Sequence, residues 1–113
     1  MNRIVLIGRL TKDPEKRVLD DSGKVLARFI IAVEREYKNA NGEREADFIP
    51  IIVWGKKAEV AAEYLTKGSL ISVSGRLCNR IIEDGQGGRK YISEVVADTL
   101  QFLDLKKNSE NAG

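Results

Sequence analysis

With 113 residues, the chain has room for one domain and none for a second. Its 42% hydrophobic and 32% charged residues suit a soluble globular fold and exclude a disordered one, while a net charge of only +2 gives no overall pull on a polyanion. With no histidine and one cysteine, Cys78, there is no material for a His/Cys metal site, a Ser–His or Cys–His nucleophile pair, or an internal disulfide.

Arg3 to Leu10 reads as the first strand, and its run Ile4-Val5-Leu6-Ile7 predicts burial on both faces, one toward a barrel interior and one toward a subunit contact. The opening residues are too soon charged for a secretory signal, and no apolar run approaches membrane-spanning length. A reducing cytoplasm is the expected compartment. Thr11 to Lys16 reads as a polar connection, and Asp20-Asp21-Ser22-Gly23 as a turn. Val25 to Tyr37 is the second strand, with Phe29, Ile31 and Val33 on one parity. Lys38-Asn39-Ala40-Asn41-Gly42 forms a hairpin loop in which Asn41-Gly42 tolerates positive φ.

Ala46 to Trp54 is the third strand. Residues two apart share a face, so Ile49, Ile51 and Val53 lie on one side and Phe48, Pro50, Ile52 and Trp54 on the other. The β-branched set suits a barrel interior, which leaves two aromatic rings outside. Pro50 suits an edge or bulged strand. Lys57 to Lys67 is the one helix, with Ala58, Ala61, Ala62 and Leu65 at helical spacing and Gly68 as its C-cap. Ser69 to Ile82 returns to strand, with Ile71, Val73 and Leu77 alternating with Ser72, Ser74 and Arg76. Asp84 to Gly88 is a flexible hairpin loop, and Arg89 to Leu103 supplies the last strand or strands. Three strands, one helix and two strands predict an all-β OB-fold, a five-stranded, partly open Greek-key barrel whose helix lies between strands 3 and 4. The barrel occupies residues 1–104, and 105–113 form a short polar tail.

A protein that holds single-stranded DNA without reading its sequence needs rings for stacking and cations for phosphates. Large aromatics are ordinarily core, but the outward parity of Phe48 and Trp54 favours stacking. Tyr37, at a strand end, reads equally as a stacking ring or a half-buried tyrosine. Tyr64 and Phe29 read as core, and Tyr91 is undecided. Arg76 and Arg80 share one strand face with Cys78 between them. Lys56 follows Trp54-Gly55, Lys67 closes the helix and Arg3 begins the first strand. Each of these cations alone reads as a solvated charge, and binding requires that they converge.

Five ordered blocks carry a resemblance: Asn2 to Glu15, Trp54 to Glu59, Tyr64 to Ser69, Val73 to Leu77 and Glu94 to Asp98. Over about residues 1 to 103 the chain resembles the bacterial single-stranded DNA-binding protein family. The resemblance implies a homotetramer, a dimer of dimers formed partly through the first strand. Such an assembly wraps and protects single-stranded DNA in replication, recombination and repair, and associates with the nucleoid when bound. It puts Tyr37, Phe48 and Trp54 at base-stacking positions, and Arg3, Lys56, Lys67 and Arg80 where phosphate-contacting cations occur; Arg76 joins them from its strand position. Two departures stand out. Ile82 occupies a position that is often aromatic. The chain also stops at Lys106 to Gly113 without the family's flexible linker and acidic tip, so tip-mediated recruitment of other proteins is not expected of it. This reading calls for no cofactor, metal, membrane or catalytic group. The competing readings are an RNA-binding or primosome-type OB protein, which uses the same rings and cations, and an OB protein-interaction module.

Overall fold

The computed structural model describes residues 1–19 and 21–103, so the expected tail lies outside the described residues. The elements in chain order are β1 (Ile4–Leu10), β2 (Glu15–Val18), β3 (Val25–Lys38), β4 (Arg44–Trp54), α1 (Lys56–Tyr64), β5 (Leu70–Glu83) and β6 (Arg89–Phe102). The strands pair in the order β1-β5-β6-β4-β3-β2, and β1 also pairs with β3. That second contact, Arg9 with Ala32 and Leu10 with Ile31, closes five strands on themselves. The barrel is therefore a closed OB-fold, not the partly open one that the element order predicts.

Alternation drives the closure. Phe29, Ile31, Ile51, Val53, Ile71, Val73 and Val95 point inward and are at most 4% exposed. Ala58 and Ala61 of α1, with Leu65 just beyond it, join the same cluster. Small residues on that helix face let its backbone sit close to the barrel. Where β5 crosses β6 the ladder slips one residue between Ser74 and Gly75. A Cβ at Gly75 would collide with the Val96 carbonyl and lie 2.8 Å from the Ala97 Cα, so only glycine permits this approach. Beyond the slip, β5 and β6 continue as a paired arm whose strands run out to Glu83 and Arg89.

Several of these expectations are revised by the structure. Glu15 to Val18 is not a loop but a short strand, paired with Val25 to Arg28. All four of its residues are exposed, so they show no apolar alternation, and the pairing with β3 alone makes them a strand. The helix ends at Tyr64; Leu65 is extended, and its N–H bonds back to the Ala61 carbonyl. Gly68, at φ +91°, therefore turns the connection into β5 and does not cap the helix. Tyr64, the last residue of α1, is 64% exposed instead of core. Leu77 is also exposed, because at that point β5 has left the barrel for the arm. In the β3–β4 loop only Gly42 takes positive φ. Asn39 organises that loop, its Oδ1 accepting from the amides of Asn41 and Glu43.

Candidate nucleic-acid interface

The outer face of the β3–β4 pair is set by register. Ala27, Phe29 and Ile31 oppose Val53, Ile51 and Ile49 on the core side. The residues between them must face out: Leu26 opposite Trp54, Arg28 opposite Ile52, Ile30 opposite Pro50 and Ala32 opposite Phe48. Phe48 is 65% and Trp54 42% exposed. Six residues of strand separate the two rings by about 20 Å, with Ile30 and Pro50 forming an apolar strip between them. β6 pairs with β4 only at Ile51 and Ile52, so that edge of β4 is open at Pro50 and tolerates a residue without an amide hydrogen.

Around Trp54 this face deepens into a groove of about 350 Å³. It is lined by Glu15 and Arg17 of β2, Leu26 and Arg28 of β3, Ile52 and Trp54 of β4, Arg80 of β5, and Glu94 and Val96 of β6. Four apolar side chains beside three arginines and two glutamates make a surface suited to a flat ring bearing a negatively charged chain. Glu94 is 4% exposed. Arg80 grips its carboxylate as a fork, Nε to Oε1 and Nη2 to Oε2, each at 3.2 Å. Arg28 reaches the same carboxylate with Nη2 at 3.3 Å from Oε2.

The two hairpin ends that flank the face are pinned by carboxylates. At the β3–β4 end, Arg35 forks onto Asp47, with its shortest contact at 2.8 Å, and also bonds Glu45 at 3.0 Å. The Arg35 hydrogen bonds, and then its charge, hold the Asp47 carboxyl below the usual carboxylate range. At the arm tip, Asp84 accepts from the amides of Gln86 and Gly88, and those two bonds lower its pKa likewise.

A model of the single-strand binding protein family matches residues 1–103. The chain belongs to that family. Single-stranded DNA-binding protein 1 of Clostridium acetobutylicum is 52% identical over 109 residues, covering 96% of this chain and 99% of that protein. The single-stranded DNA-binding protein of Clostridium tetani is 51% identical over 113 residues, all of this chain and 77% of that one. Single-stranded DNA-binding protein 1 of Staphylococcus aureus is 53% identical over 111 residues, 98% of this chain and 70% of its own length.

Of the residues singled out from the sequence, Trp54 and Arg80 line one groove, and Phe48 shares its strand face. Tyr37 is 74% exposed but falls in the irregular stretch between Glu34 and Lys38, where strand parity assigns it no face. Arg76 shares the Arg80 face and donates to Cys78 Sγ at 2.9 Å, short of the groove. Arg3 is held by Asp98 at 3.0 Å and by Ser74 Oγ at 2.6 Å, outside the groove lining. Lys56 opens α1 and, with Lys57, borders a separate cavity of about 200 Å³ over Val60, Leu100 and Phe102. Lys67 lies in the α1–β5 connection, its amide donating to Asp13 Oδ1 at 2.8 Å. Ile82 is 37% exposed on the arm. The sequence reading missed Glu15, Arg17, Arg28 and Glu94. Arg28 carried a usable signal, its outward parity beside Ile30; Arg17 becomes visible only once β2 is recognised as a strand. Among the described residues, no group of three or more His, Cys, Asp or Glu could hold a metal ion. No helix among them is long and apolar enough to cross a membrane.

Proposed function

We infer that this protein binds single-stranded DNA without reading its sequence, stacking bases on Trp54 and Phe48 and pairing phosphates with the cations around them. It acts by holding the strand in replication, recombination and repair, and not by catalysis. The observation that carries the reading is the pair of exposed rings on one outer face, one of them in a groove with three arginines. Membership of the single-strand binding protein family supports it. Tyr37, Arg3, Lys56, Lys67 and Arg76 complete the proposed path outside the groove. The working unit in this reading is a homotetramer in the cytoplasm. Val5 and Ile7, 62% and 55% exposed on the outward side of β1, are an apolar strip that a second copy would cover.

The test is a fluorescence titration of Trp54, the only tryptophan, with oligo-thymidine at low and high salt. Quenching by single strands but not by duplex is expected, weakening with salt at a log–log slope of about −0.7 per phosphate contacted. The same samples in sedimentation should show the mass of four chains. Absence of binding at low salt refutes the reading. Salt-tolerant capture of a protein partner would favour an interaction module, and stronger binding to RNA than to DNA would favour the RNA reading.

A further inference from the structure

We propose that Glu94 is a positioning residue of the DNA face, a buried carboxylate that holds Arg28 and Arg80 aimed into the Trp54 groove. The proposal rests on the reading that this face binds single-stranded DNA. On such a face an anionic side chain is an anomaly, because it repels the phosphates that the arginines attract. Its surroundings explain its presence. Glu94 lies on the outer side of β6, and both of its oxygens are taken by guanidinium groups. Arg80 comes from the neighbouring strand β5, while Arg28 comes from β3 and reaches across Ile52 of β4. One carboxylate thus braces two cations that approach from opposite sides of the groove.

The geometry leaves those cations usable. A guanidinium has five N–H donors. Arg80 spends Nε and one Nη2 hydrogen on Glu94, while Arg28 is held to it by an ion pair, Nη2 to Oε2 at 3.3 Å. The carboxylate is 5% exposed, whereas the Arg28 and Arg80 side chains are 38% and 48% exposed. The arginines are therefore fixed from beneath and open above, ready to meet a phosphate or a base edge without losing further side-chain freedom. Without the carboxylate the two like charges repel and both long side chains swing free.

The sign of the effect makes the test sharp. Glu94→Gln removes one negative charge from the face, so simple attraction predicts tighter binding of oligo-thymidine. Positioning predicts weaker binding, by roughly tenfold at fixed salt, the worth of one charge-assisted contact. Positioning further predicts that in an Arg28→Ala/Arg80→Ala background Glu94→Gln costs nothing or tightens binding, since only the repulsion is left. A purely structural role would lower affinity in both backgrounds. The proposal is overturned if Glu94→Gln binds as well as the unsubstituted protein, or if it loses equally in both backgrounds. Should Glu94→Gln fail to fold, Arg28→Lys/Arg80→Lys keeps both charges without the fork and should lose about as much; unchanged affinity then overturns the idea. Failure of the unsubstituted protein to bind oligo-thymidine would remove the underlying reading first, and is seen before any variant is compared.

Discussion

Replacing Trp54 with alanine tests the proposed stacking surface directly. The indole stands on the outer face opposite Leu26, 42% exposed, and contributes nothing to the buried cluster inside the barrel. Its removal therefore leaves no core cavity, and the variant should remain folded. Its loss removes one stacking contact, worth about 1–3 kcal/mol per base, or about 5- to 150-fold in affinity. Stacking releases no phosphate counterions, so the dependence of log affinity on log salt should keep its slope while the whole line drops. The assay is fluorescence anisotropy of a labelled oligo-thymidine across a salt series, since the substitution removes the intrinsic probe. Trp54→Phe retains a ring and should recover most of the loss. Affinity of Trp54→Ala within twofold of the unsubstituted protein, with melting unchanged, would refute the reasoning. So would a slope that flattens while the ring variant fails to recover, because Trp54 would then be supporting a cation and not a base.

Gly75→Ala forces a methyl onto the Val96 carbonyl at the β5–β6 crossing and should cost about 1–3 kcal/mol. Thermal unfolding should show it as a fall of about 4–8 °C per kcal/mol, and an unchanged melting temperature would mean that the crossing relaxes freely. The acid side should show the carboxylate pins. Asp47 and Asp84 both sit below their ordinary value of 3.8 when folded, so the stability they lend is complete above that pH and is lost as pH falls through their lowered folded values. In an NMR titration the amides of Gln86 and Gly88 should follow Asp84 with a midpoint below 3.8; a midpoint at or above it would deny the two hydrogen bonds their role.

How far the site could be read in advance depended on the range of the interaction concerned. Phe48 and Trp54 could be placed on the outer face because alternation along one strand is local: three β-branched neighbours of one parity leave the other parity outside. That reasoning does not reach Tyr37, because the register irregularity beyond Glu34 ends the alternation there. Nor does parity decide burial at Leu77, which alternates in step with Ile71 and Val73 but lies where the strand has already left the barrel. Tyr64 was misjudged because helical spacing showed which residues form a stripe, while burial depended on how much of that short helix the barrel covers.

Strand alternation, the single helix and the turn residues determined from sequence that this chain forms a small barrel with two rings facing outward. Only the tertiary structure decided that the barrel closes, because closure rests on two residue pairs between β1 and β3 that no local pattern encodes. Only it made a strand of Glu15–Val18, which has no apolar face and takes its conformation from its partner. And only it joined Arg28, Arg80 and Glu94, since charges on three strands attract through space whatever their separation along the chain.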